Sequence, residues 1–210
     1  MTGFPDTLEP MDLGRPHRSL GMGVTGDVLV ALSALDRPLS GRRVAARANA
    51  STTQVLKVLG DLVDAGVVIA TPAPPSLLFE LNRDHVLAPV VAAIASASNS
   101  WRERLVEAIS RWEPPADAVV LFGSAATGVA DDRSDIDLLV VRPVDVGADD
   151  DTWVSQVAAL ATALPRWTGN DVDLLDLTAA ELRRNRRLAK EIERDGVALF
   201  GSLAASVRER

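Results

Sequence analysis

The chain has 210 residues, 47% of them hydrophobic and 24% charged, which is enough apolar surface for one large domain or two small ones. The formal charge of −7 argues against indiscriminate nucleic-acid binding, and zero cysteines exclude disulfides and thiolate metal centres. No basic leader precedes an apolar signal core, and the longest apolar stretch, Val86 to Ala97, is too short to span a bilayer, so a cytoplasmic location is expected with no membrane partner.

Residues 1–21 are rich in Gly, Pro and Asp without periodicity and are expected to form a flexible leader. From Val24 to Leu35 apolar residues recur at helical spacing, with Thr25 as the expected cap. Ser40 then opens a short helix, and Ser51 opens another that places Val55, Leu56, Leu59, Leu62 and Val63 on one face and stops at Gly66. The runs "VVIAT" and "SLLFELN", separated by "PAPP", predict a hairpin.

Helix, short helix, second helix and hairpin over 22–84 together resemble a winged helix-turn-helix domain, with its turn at Ala48-Asn49-Ala50-Ser51. The resemblance implies that Ser51, Thr52, Thr53, Gln54 and Lys57 face duplex DNA, that Arg42, Arg43 and Arg47 meet phosphates, and that the hairpin is the wing. It also implies a homodimer on a two-fold site. A small helical domain serving packing or dimerisation alone is the alternative.

Residues 85–113 predict a connecting helix, or two, interrupted by the polar run Ser96 to Ser100 and ended by Pro114-Pro115. Over 114–201 the pattern alternates: strands at 118–123 and 136–142, a helix near 151–164 capped by "GADDD", a strand at 172–177, a helix near 178–194 and a strand at 197–200. Residues 202–210 are expected to form a C-terminal tail. The fold class expected is α+β, in two domains.

Asp135 and Asp137 flank Ile136 at a strand entrance, so both carboxylates point to one face. Like charges so placed call for a compensating cation, and Mg²⁺ suits a few carboxylates completed by phosphate oxygens and water. Gly123-Ser124, after the strand "AVVLF", lets a backbone approach phosphate. "NDVDLLDL" puts Asp173 within an apolar run, where a carboxylate is costly unless paired or bound to metal.

"FGSAATGVADDRSDIDLLVV" followed by "VDLLDL" resembles the minimal nucleotidyltransferase branch of the DNA polymerase β-like superfamily. The resemblance implies that Asp135, Asp137 and Asp173 bind Mg²⁺, with Mn²⁺ as the alternative, and carry catalysis, while Gly123 and Ser124 grip the outer phosphates of a nucleoside triphosphate. Relatives include antitoxins that adenylylate a partner toxin and antibiotic-modifying enzymes. The acceptor expected is a hydroxyl on protein or RNA in preference to a small molecule. Asp171 and Asp176 compete for the third-carboxylate role. Asp171 lies nearer the loop, and Asp176 is out of phase and expected to be exposed or capping.

Where many members carry basic residues after Gly-Ser, this chain has Ala125, Ala126 and Thr127. The alternative function is therefore a winged-helix regulator whose second half senses nucleotide or dimerises without catalysis. Arg183, Arg184, Arg186, Arg187 and Lys190 offer charge that would offset the missing basic residues, but the expected reading is a solvated helix face paired with Glu181, Glu191 and Glu193. His17 and His85 receive no role, and the four tryptophans are expected to pack.

Overall fold

The computed structural model describes residues 10–127 and 135–202, which fold as two units. Each has its own apolar core. Among the described residues no helix is long and apolar enough to cross a membrane.

The unit Arg15–Ser98 holds three helices, α1 (Gly23–Ser33), α2 (Gly41–Ala48) and α3 (Thr52–Asp64). Asn49 takes a left-handed conformation, φ 48°, which ends α2, and Ser51 then caps α3 by accepting from the Gln54 N–H at 3.3 Å. Val55 and Leu59 of α3 share a buried cluster with Val28 and Leu32 of α1 and Val44 and Ala48 of α2. Gly66, φ 73°, turns the chain into β2 (Val68–Ala73) and β3 (Ser76–Leu81), paired antiparallel from Val68↔Leu81 to Ala73↔Ser76. The short β1 (Leu39–Ser40) adds to β3, giving the order β1-β3-β2. α1 begins earlier than expected: Met22, not Thr25, occupies the cap position, with no side-chain cap bond.

Two parts of the expected leader are ordered. Pro16–Leu20 form a 3-10 helix in which His17 is only 3% exposed. Its Nε2 lies 2.9 Å from Asp27 Oδ1, while Arg18 Nη2 donates to Asp27 Oδ2 at 2.7 Å. Gly26 leaves the space His17 fills, since a Cβ there would collide with the imidazole. Residues 10–14 belong instead to the other unit, where Leu13 is buried and Asn170 bonds the Met11 N–H and carbonyl at 3.2 and 3.0 Å. Contacts with residues outside each segment hold both pieces, so local composition could not show their order.

α4 (Ala88–Ile109) opens in the first unit and closes in the second. It runs unbroken through Ser96 to Ser100, and the Ser96 hydroxyl bonds back to the Ala93 carbonyl at 2.9 Å. The second unit is built on β4 (Ala118–Phe122), β5 (Ile136–Arg142), β6 (Val172–Thr178) and β7 (Val197–Gly201), in the order β6-β5-β4-β7. β5 and β6 are parallel; β4 runs antiparallel to both β5 and β7.

Strand alternation divides this sheet cleanly between two cores. Val119, Leu121, Ile136, Leu138 and Val140 cluster with Trp101, Leu105 and Ile109 of α4 and with Trp153, Leu160 and Leu164 of α6 (Asp151–Thr168). Ala118, Val120, Phe122, Leu139 and Val141 cluster with Leu182, Leu188 and Ile192. The single helix expected near 178–194 is two, α7 (Ala179–Arg184) and α8 (Arg186–Asp195). Asn185 breaks it, its side chain accepting from the Leu188 N–H at 3.2 Å. Thr178 and Glu181 form a capping box on α7, and Asp150 caps α6 through the Trp153 N–H at 2.9 Å.

Candidate functional site

The central strands β4 and β5 reach one end of the sheet together, and the chain turns there into the short helix α5 (Gly123–Thr127). In the ladders, Phe122 faces Asp137 on one side and Asp173 faces it on the other. All three therefore point to the α8 face of the sheet. The Ile136 N–H donates to the Asp171 carbonyl at 2.9 Å, so Asp135 and Asp171 reach the same end of the β5/β6 pair.

Gly123 has φ 66°, and a Cβ on it would overlap the Asp137 carboxylate. The left-handed backbone favours glycine here, and any larger residue would also displace the Asp137 carboxylate. Asp137 is half-buried beneath this turn, whereas Asp135, Asp171 and Asp173 are exposed. Burial raises the Asp137 pKa, and the charges of Asp173, Asp135 and Glu191 raise it further. A cation among these groups would relieve both effects. Among the described residues no three carboxylate or imidazole groups converge closely enough to enclose a metal unaided. The donor set is that of an open carboxylate edge whose remaining metal ligands must come from elsewhere, as phosphate oxygens and water can supply.

Two expectations about the third strand need correction. β6 is an edge strand and Asp173 is exposed, so its carboxylate does not bear the burial cost inferred from its apolar neighbours. Asp176 is neither freely exposed nor a cap: it accepts from Arg142 Nε at 3.2 Å and Trp153 Nε1 at 3.0 Å, on the face opposite Asp137. It balances Arg142, itself 6% exposed, and so belongs to the α6 core. Sequence phase separates Asp176 from Asp173, but only the sheet order reveals the buried arginine beside it.

Glu191 went unnoticed in the sequence because the acidic residues of α8 read as partners for its arginines. Those pairings do not form as expected. Glu181 is engaged by Thr178 and lies 3.6 Å from Arg142, and among the described residues Arg183, Arg184, Arg186, Arg187 and Lys190 make no ion pair. Leu188 and Ile192 face the sheet, so Glu191 rides at the edge of that buried stripe, near Asp137.

In the first unit Arg42, Arg43, Arg47, Ser51, Thr52, Thr53, Gln54 and Lys57 are all exposed along α2 and α3. The Ser51 hydroxyl also donates to Gln54 Oε1 at 3.0 Å, which orients that side chain at the start of α3.

A family model described as polymerase beta, nucleotidyltransferase matches residues 105–204. Residues 105–204 form a polymerase β-type nucleotidyltransferase domain. The carboxylate edge, the Gly123 turn and the four-stranded sheet all lie within this nucleotidyltransferase domain. Among solved structures the chain is similar to a toxin–antitoxin with AMP-PNP, at 25% identity and TM-score 0.37, covering 50% of this chain and 77% of that one. It is also similar to two mutants of the toxin–antitoxin MntA-HpeT. One has 23% identity and TM-score 0.36, covering 50% of this chain and 76% of that one. The other has 24% identity and TM-score 0.37, covering 50% and 75%. No curated protein matches the chain.

Proposed function

We propose that the chain is a Mg²⁺-dependent nucleotidyltransferase that moves a nucleoside monophosphate from a triphosphate to a hydroxyl acceptor, releasing pyrophosphate. The observation that carries this reading is the cross-strand pair Asp137↔Asp173 beneath a glycine turn where a Cβ would displace the Asp137 carboxylate. Asp135, Asp137 and Asp173 would hold Mg²⁺, with Mn²⁺ as the alternative, and Gly123 and Ser124 would contact the outer phosphates. The metal, when bound, supplies charge stabilisation for in-line displacement at the α-phosphorus. The chain's own contribution is placement. Asp137 is fixed by β5 and covered by Gly123, while Asp173 on the edge strand is free to meet the incoming hydroxyl and accept its proton. The acceptor reading is a macromolecular hydroxyl, on protein or RNA, which the exposure of Asp135, Asp171 and Asp173 supports.

We further propose that residues 22–84, within the Arg15–Ser98 unit, are a winged helix-turn-helix domain in which β2 and β3 form the wing and the homodimer engages duplex DNA in the cytoplasm. The exposure of Lys57, Arg47 and the Ser51–Gln54 segment supports this. A second reading, a DNA-binding regulator with a non-catalytic second domain, draws on Ala125-Ala126-Thr127, which bring no cation to the turn. Incubation with α-phosphate-labelled triphosphates and a cell extract separates the two. Transfer of label to protein or RNA by the wild type, lost in Asp137→Asn, is expected. Equal labelling by that variant would remove Asp137 from the reaction, and no transfer beside specific DNA binding would favour the regulator.

A further inference from the structure

Although α5 has no cation of its own, the fold delivers one from another helix. Arg102, on α4, is half-buried, and its Nη2 donates to the carbonyl of Ala125, the residue after Ser124, at 3.1 Å. The guanidinium lies over the Trp101 ring, 4.9 Å from its centroid. Among the described residues no carboxylate pairs with it. Burial lowers the Arg102 pKa, as expected of a cation short of solvent.

Other cations of this domain are differently placed. Arg142 is neutralised by Asp176, Arg111 pairs with Glu107, Arg194 pairs with Asp195, and Arg104 stacks on Trp167 at 4.4 Å. Arg183, Arg184, Arg186, Arg187 and Lys190 are exposed, so water solvates them and nothing in their surroundings calls for an anion. Arg102 alone in this comparison is partly desolvated, without a carboxylate, and fixed against the phosphate-binding turn. A guanidinium carries five N–H donors in a planar fork. The Ala125 carbonyl takes one and leaves the others for phosphate oxygens.

Resting on the nucleotidyltransferase reading above, we propose that Arg102 binds the β- and γ-phosphates of the triphosphate, supplying from α4 the positive charge that Ala125, Ala126 and Thr127 leave out. Its bond to Ala125 holds the guanidinium beside the turn before nucleotide arrives. The anion repays the cost of its partial burial.

The test is calorimetric titration of the full chain with ATP, ADP and AMP in Mg²⁺, for the wild type, Arg102→Gln and Arg102→Lys, with the Tm of each. Arg102→Gln should weaken ATP by about tenfold to a hundredfold, the worth of a hydrogen bond to a charged group, and leave AMP unchanged. Arg102→Lys, keeping charge without the fork, should fall between. Equal losses for all three nucleotides in step with a lower Tm would make Arg102 a mere brace for α5 and overturn the proposal. So would ATP binding by Arg102→Gln at wild-type affinity. Failure of the wild type to bind ATP would overturn the nucleotidyltransferase reading itself and this inference with it.

Discussion

Replacing Asp137 with Asn should stabilise the nucleotide-free protein at neutral pH. The half-buried carboxylate stands across from Asp173, shares a strand face with Asp135, and feels the charge of Glu191. Adjacent strands lie about 4.8 Å apart, and unit charges at about 5 Å repel by roughly 1–2 kcal/mol at an effective dielectric of about 40–80. The high-dielectric end suits a cluster with Asp135 and Asp173 exposed, and salt screens the more distant charges. A net gain of about 1–2 kcal/mol corresponds to about 3–8 °C in Tm for a domain of roughly this size. The gain should depend on pH. Because the folded-state pKa is raised, the native protein binds this proton more readily than the unfolded chain. Wild-type stability is therefore intact below the unfolded value of about 4 and declines as pH rises through the folded value. Calorimetric melting without metal, at a series of pH values, should show variant and wild type converging in acid and diverging toward neutrality. An Asn variant that melts below the wild type at neutral pH would refute the like-charge argument.

Gly123→Ala should lose about 1–2 kcal/mol from its left-handed backbone alone, with more from the overlap with Asp137, and urea unfolding reads both. It should also abolish Mg²⁺-nucleotide binding; unchanged affinity would place the turn outside the site. Asp176→Ala removes the nearer carboxylate from Arg142, leaving Glu181 at 3.6 Å, and strands the Trp153 indole N–H, and should cost about 1–3 kcal/mol in the same assay, with nucleotide affinity unchanged in the fraction that folds. Lost affinity at full stability would instead bring Asp176 into the site. For Asp27, burial pushes the pKa up, but the hydrogen bonds and charges of Arg18 and His17 outweigh it and hold the carboxyl below its ordinary value. Asp27→Asn should therefore destabilise the Arg15–Ser98 unit by about 2–3 kcal/mol above pH about 4, the deficit fading as pH falls through the folded value. A deficit that grows in acid would contradict that network.

The strands carrying the site were legible because period-two burial on both faces leaves near-continuous apolar runs, as in "AVVLF" and "IDLLVV". Asp135, Asp137 and Asp173 stood out as polar interruptions, and the common face of Asp135 and Asp137 followed from spacing, whereas Asp173 joins it only through the β5–β6 register. Spacing could not show which strand lies at the edge. That decides why Asp173 is exposed and Asp137 is not. Nor could it show partners brought from far along the chain. His17 with Asp27, Met11 with Asn170, Asp176 with Trp153 and Arg102 with Ala125 are contacts of the folded state, each made by a residue whose local sequence carries no distinctive pattern.

The most direct measurement is isothermal titration of the wild type and of Asp135→Asn/Asp137→Asn with ATP, GTP, CTP and UTP, with and without Mg²⁺. Tight binding of at least one triphosphate, dependent on both metal and carboxylates, is the predicted result. Binding that persists unchanged in the double variant, or no binding of any triphosphate by the wild type, would contradict the assignment of a working nucleotide site to Asp135 and Asp137.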